Sequence, residues 1–195
     1  MKRQPPFRAA VALIVAALST MVANVRAETR PIDVGRSTLT VFVYKSGLLS
    51  AFADNHVISA PIAVGSISEE SPLAIDVMVR SADLRLLDPG LSSDRRAEVQ
   101  ARMLGSEVLD AARFPEITFA STTIESAGTG RWRVTGDLTI HGQTRVIAFS
   151  VIGSDGEYHG EVLINQRDFG IEPIKVVGGT VKVKDKLTVQ FEIVR

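Results

Sequence analysis

The side chains that could do chemistry near neutral pH are three histidines, His56, His141 and His159. His56 follows Asp54-Asn55, so Asp54 and His56 could form a two-residue metal site or a polar contact at a pocket mouth. The expectation is blander: an exposed imidazole on a capped loop. His141, before Gly142, reads as the tip of a hairpin, and His159, beside Tyr158, as a solvated outward residue. No two histidines share a helix or strand at ligand spacing, so no metal site is expected. Ser121, Ser150 and Ser154 lack the G-x-S-x-G turn that exposes a nucleophilic serine. Asp137 is expected to pair with a neighbouring arginine. Arg167 and Asp168 are expected to pair with each other and hold the Phe169-Gly170 corner. With no glycine-rich phosphate loop and no cysteine, neither nucleotide cofactors nor thiol chemistry is expected, and no catalytic residue is assigned.

The elements that position these residues centre on residues 114–152. Ile117 and Phe119 alternate with Thr118 and Ala120, and Gly128-Thr129-Gly130 then makes a turn. Trp132, Val134, Gly136, Leu138 and Ile140 share one face of the next strand; Arg131, Arg133, Thr135, Asp137 and Thr139 share the other. That period of two marks a half-buried strand. His141-Gly142-Gln143 turns the chain into a third strand over 144–152, which carries Phe149.

Around this core the chain alternates in the same way. Residues 28–33 read as a polar linker. Strand one covers 36–45, with Leu39, Val41 and Val43 on one face, and a loop with Phe52 follows. Strand two runs over 57–67 with a kink at Pro61, and strand three over 73–81. A helix over 94–104, capped by Ser92, Ser93 or Asp94 and stopped by Gly105, carries a stripe of Ala97, Val99, Ala101, Met103 and Leu104. A second helical turn over 107–111 ends before Phe114-Pro115. Strand seven covers 157–166 and strand eight 180–194, with Leu187, Val189, Phe191 and Ile193 inward. Gly136 and Gly170 interrupt otherwise regular segments, which predicts a bend, a bulge or a close backbone approach.

Charge is distributed unevenly. Lys2, Arg3 and Arg8 precede an apolar run over 9–18, and Val25-Arg26-Ala27 ends it with small residues, the pattern of a cleaved secretory signal over 1–27. The apolar run is short for a membrane span. Its removal leaves 18 basic against 22 acidic residues, which argues against nucleic acid as a partner. The domain is then expected over 28–195, free in the periplasm, and a homodimer is compatible with it.

Eight antiparallel strands in one domain must stack as a sandwich or close as a barrel, and closure removes the exposed edges. Arg131, Arg133, Asp137, Lys182, Lys184, Gln190 and Glu192 face outward. A charge at the bilayer midplane costs about 2–4 kcal/mol, so a membrane-embedded barrel is excluded. An eight-stranded barrel can be filled by side chains or hold one slim ligand, and residue pattern does not choose between them.

Arg113-Phe114-Pro115, Gly136-Asp137-Leu138-Thr139-Ile140, Gly142-Gln143-Thr144 and Arg167-Asp168-Phe169-Gly170-Ile171 together resemble the signature of the YceI-like family of periplasmic lipid-binding proteins. The likeness covers residues 33–194. It departs over 45–52, where the family often carries an aromatic-rich H-x-G-type segment. The resemblance implies an all-β, eight-stranded, lipocalin-like barrel with one helical insertion at about 94–111. Its hollow bore would hold a polyisoprenoid, an isoprenoid quinone or another long-chain lipid for storage or transport, without catalysis. The residues expected to line that bore are Leu39, Val41, Phe52, His56, Phe119, Trp132, Val134, Leu138, Phe149, Phe169, Val189 and Phe191. The alternatives are a hydrolase or isomerase acting on a hydrophobic substrate, or a stress-linked structural protein with a filled barrel.

Overall fold

The structure, a computed structural model, describes residues 28–46, 55–176 and 181–195. The first 27 residues and the loop containing Phe52 and Asp54 lie outside them. In chain order the elements are β1 (Arg30–Pro31), β2 (Thr38–Ser46), β3 (His56–Ser59), β4 (Ile62–Ser68), β5 (Ala74–Arg80), β6 (Arg85–Leu86) and α1 (Ser93–Leu104). Then follow β7 (Glu116–Ser126), β8 (Arg131–Ile140), β9 (Gln143–Ser154), β10 (Glu157–Asn165), β11 (Lys175–Val176) and β12 (Val181–Val194).

These strands form one antiparallel sheet in the order β1-β4-β5-β7-β8-β9-β10-β12-β2-β3-β6, with β11 added beside β12. The sheet curls strongly, and β1 and β6 are the two ends of its ladder. β3 pairs with β2, β4 pairs with β5, and only Ala60 and Pro61 separate β3 from β4. One stretch of chain therefore changes partners at the proline that the sequence marks as a kink, and carries the ladder back to its start. The sheet has twelve strands where eight were expected: one expected strand is divided into β3 and β4 at Pro61, and β1, β6 and β11 are short additions. Irregularities between Ile62 and Val64, Ser121 and Thr123, and Val183 and Leu187 help the strands bend.

The ends of the curl are packed. At one end Met103 and partly buried Val99 of α1 join Ile58, Val79, Leu84, Leu86, Leu109 and Ile171. Ser92 caps α1 by accepting the Arg95 N–H, and Gln100 anchors it, accepting the Leu86 N–H and donating to the Leu84 carbonyl. Ala97 and Ala101, expected on the packed stripe, are exposed; Gln100 takes their place. Residues 107–111 form turns in place of the expected second helical turn, with Asp110 at positive φ. At the other end Ile32, 4 % exposed, packs with Ile62 and Ile193. The segment expected as a polar linker is thus a plug: β1 pairs with β4, and Asp33 N–H donates to Val194 O at 2.7 Å.

Two glycines shape the interior wall. A Cβ on Gly136 would stand 2.4 Å from the Ala120 carbonyl oxygen and 2.6 Å from the Phe119 ring. One on Gly160 would stand 2.5 Å from the Phe191 ring and 2.6 Å from Ser150 O. Each phenylalanine ring occupies the space that a side chain on the adjacent strand would take. Gly170 has another reason: its φ of 72° ends the 3-10 turn Gln166–Phe169 in the left-handed region. Gly136→Ala and Gly160→Ala should each lower stability by about 1–3 kcal/mol, the cost of overpacking. Urea unfolding checks this, and unchanged midpoints for both would show that the strands can spread and the rings shift enough to admit a methyl group.

Candidate functional site

Inside the curl lies a cavity of about 890 Å³, lined by side chains from every long strand and from α1. Its wall follows from the strand period. Inward positions over 132–140 of β8, 147–151 of β9 and 187–193 of β12 are apolar or glycine at every second residue, as in Val134, Leu138, Phe149, Val189 and Phe191. Leu39, Val41, Phe119, Phe149, Val189 and Phe191 point inward yet are only half-buried, because they touch neighbours along the wall but face open space across it. Three separate buried clusters take the place of one continuous core. The bore is hollow.

Of the residues expected to line it, Leu39 and Val41 stand on β2, His56 on β3, Phe119 on β7, and Trp132, Val134 and Leu138 on β8. Phe149 stands on β9, Phe169 in the 3-10 turn, and Val189 and Phe191 on β12. The structure brings these eleven together; Phe52 lies outside the described residues. Phe149 joins Phe119 and Phe191 at centroid distances of 5.4 and 5.5 Å, which makes an aromatic band across the bore wall. Phe169, 2 % exposed, is the most enclosed of the set. Sequence reasoning missed Val77, Met103, Ile117, Ile147, Val162 and Tyr158 as lining. The strand alternation that found the others could have found all of these but Met103.

Polar groups gather at the two ends. At the α1 end, His56 shares the inward side of the strand with Ile58 and Ala60. Its Nδ1 is 2.5 Å from Asp88 Oδ2. Asp88 is buried; its other oxygen accepts the Val57 N–H at 2.8 Å, and Arg96 donates to its carbonyl. The expected exposed imidazole on a capped loop is therefore corrected: His56 is a half-buried wall residue held by a carboxylate 32 positions along the chain. Lys45, Lys182, Arg95, Glu98 and Arg102 complete this end.

At the opposite end Tyr158 donates its hydroxyl to Glu69, which also pairs with Arg195, and Trp132 packs edge-on against Tyr158 at 5.6 Å. Burial, then the hydrogen bond and the negative charge of Glu69, push the Tyr158 hydroxyl up to about 12.

The remaining sites resolve as structure. His141 takes positive φ at the β8–β9 tip and stacks on Phe114, and His159 is exposed, both as expected. Asp137 has no ion-pair partner among the described residues: its cross-strand neighbours are Ala120 and Val146, and no arginine reaches it. Arg167 pairs with Glu172 and Asp185, while Asp168 accepts from Asn165. The expected Arg167–Asp168 pair does not form, since adjacent residues in the tight 3-10 turn diverge. Among the described residues no three metal-binding side chains converge.

A sequence profile of the YceI-like domain family matches residues 31–195. A UPF0312 protein of Vibrio cholerae is 30 % identical over 128 residues, spanning 60 % of this chain and 64 % of that protein. One from Pseudomonas savastanoi is 36 % identical over 106 residues, 49 % and 53 % of the two chains. The aligned segments thus span under two thirds of these relatives. Among solved structures, Burkholderia cenocepacia BcnA superposes with a TM-score of 0.65 at 17 % identity, covering 84 % of this chain and 99 % of that one. A polyisoprenoid binding domain from Saccharophagus degradans, implicated in plant cell wall breakdown, gives 0.58 at 14 %, covering 86 % and 97 %. At those identities the likeness is one of fold.

The pair at the Trp132 end generates a pH prediction. The folded state holds the Tyr158 proton more tightly than an unfolded tyrosine does, so the stability it contributes is intact below pH 10 and is lost as pH rises toward 12. Tyrosinate absorbance should therefore show a step near pH 12 that Tyr158→Phe removes and Glu69→Gln moves downward. A wild-type titration without that step would contradict the pairing.

Proposed function

The chain belongs to the YceI-like domain family, and from that premise we propose that it holds a polyisoprenoid, an isoprenoid quinone or a similar long-chain lipid in its bore, for storage or transport and without catalysis. The hollow carries this reading: a cavity of about 890 Å³ with an apolar wall and its charges confined to the ends. Such a space suits a flexible apolar chain. Each buried methylene contributes about 0.8 kcal/mol, so ten or more offset much of the roughly 4–15 kcal/mol lost on association. The description of the Saccharophagus domain as polyisoprenoid-binding agrees with this occupant.

Export belongs to the same proposal. A basic start, an apolar run and Val25-Arg26-Ala27 suit a cleaved signal, and the periplasm is where a lipid must cross water between membranes. Protein recovered from the periplasmic fraction should begin at Glu28. Amino-terminal sequencing that reads Met1 there would refute it.

His56 gives the hydrolase alternative its foothold, because an imidazole held by a buried carboxylate at a cavity wall is the geometry of a general base. In the binding reading His56→Ala leaves extracted lipid chemically unchanged; in the hydrolytic one it lets an intact ester accumulate.

Occupancy is tested by narrowing the bore. Val41 and Val189 are cross-strand neighbours on its wall and only half-buried. Val41→Phe and Val189→Phe should cut lipid extracted per mole of protein severalfold and leave the thermal midpoint of the lipid-free protein within a few degrees. Wild type purified from its own cells without lipid, with both variants melting early, would mean that the space closes in solution.

A further inference from the structure

Beyond residue 27 the chain has only five lysines, Lys45, Lys175, Lys182, Lys184 and Lys186, and all five lie on three adjacent strands at one end of the bore. Lys175 stands directly opposite Lys182 across the β11–β12 ladder. Lys184 and Lys186 belong to the irregular stretch between Val183 and Leu187, opposite Tyr44, and Lys184 lies 5.9 Å over the Tyr44 ring. Lys45 and Lys182 line the cavity itself, so the cluster borders its α1 end.

None of the five enters an ion pair among the described residues, where every pair uses an arginine or His56. Asp185 and Glu172, near them along the chain, are engaged with Arg167. Like charges facing one another across a ladder are unfavourable, and folding alone gives no reason to gather them. The rest of residues 28–195 sets 13 arginines against 22 acidic side chains. All the lysines of residues 28–195 thus stand at one end of a chain with an excess of acids, and an extended anionic surface would attract that end first.

We propose that this lysine cluster is a docking surface for a bilayer rich in anionic phosphate headgroups, which seats this end of the bore on the membrane. Lysine fits such a surface because its ammonium is a compact hydrated charge on a flexible stem, which meets a fluid headgroup layer without fixed geometry. Several lysines acting together give strong, salt-sensitive binding although each is weak. The inference rests on the lipid-carrier reading for its purpose but is measured separately from it.

The deciding experiment is sedimentation of the purified protein with vesicles of phosphatidylcholine alone and of phosphatidylcholine with phosphatidylglycerol. Wild type should bind only the anionic vesicles and release in 1 M salt, where the screening length falls to about 3 Å. Lys175→Gln/Lys184→Gln/Lys186→Gln, which spares the bore-lining lysines, should weaken binding on the order of a hundredfold. It should retain bound lipid and its melting midpoint. The charge-matched Arg131→Gln/Arg133→Gln/Arg145→Gln on β8 and β9 should bind as wild type does. Equal loss in both triple variants, or binding to neutral vesicles, overturns the proposal. So does full displacement by millimolar glycerol phosphate, which would mark a small-phosphate site instead of a surface. Protein that carries lipid but ignores anionic vesicles sinks this inference alone; protein that binds vesicles but carries no lipid sinks only the carrier reading.

Discussion

The structure depends on a mismatch between circumference and side-chain length. Eight long strands, with the chain changing partners at Ala60 and Pro61, set a bore that the inward residues line along its wall without filling. Packing is therefore pushed to the ends, with Met103 and its neighbours under α1 on one side and Ile32, Ile62 and Ile193 on the other. Between them Leu138, Ile164 and Phe169 form a patch on one wall. A filled barrel of this size would need larger or differently placed residues at Val41, Val134 and Val189. Folding stability and cavity volume are thus drawn from different parts of the molecule, which lets one region stay open without unfolding the rest.

Much of this was legible along the chain. Strict alternation over 131–140 and 187–193 gave strand identity, face and most of the wall, because the period of two is a local property. Pro61 marked the corner, and Ser92 and Gly105 marked the helix ends. What alternation cannot carry is which wall residues touch at a distance. His56 could be seen near Asp54 but not near Asp88, since the carboxylate that holds it arrives from the connection between β6 and α1. Ile32 looked like part of a linker because one apolar residue has no period. The choice between a packed and an open interior was likewise out of reach: it depends on the radius of the curl, to which no single strand testifies.

The wall's glycines show how the opening is maintained. Phe119 and Phe191 would project into the bore if Gly136 and Gly160 carried side chains. Recessed over those glycines, the rings supply apolar surface while yielding volume. The two polar ends differ in kind. Glu69 gathers Tyr158 and Arg195 into a closed, mutually satisfied group, whereas the end near Lys45 and Lys182 carries charges that nothing in the described residues neutralises. That difference gives the bore a direction.

The β2–β12 ladder has a kinetic meaning as well. β2 pairs with β12, so residues near position 40 must find partners near position 190, the widest separation that the ladder contains. The β7–β8–β9 meander and the β9–β10 hairpin join near neighbours and can form early. Closure must wait for the last strand, and contacts of such long range slow folding. Until then β2 and β10 are open edges, and the apolar inner face is exposed as a sheet instead of a bore. Before the final strand pairs, the inner face is an open apolar sheet, so an apolar chain would meet it along its whole length; once β12 has joined β2, the same face is the wall of a bore.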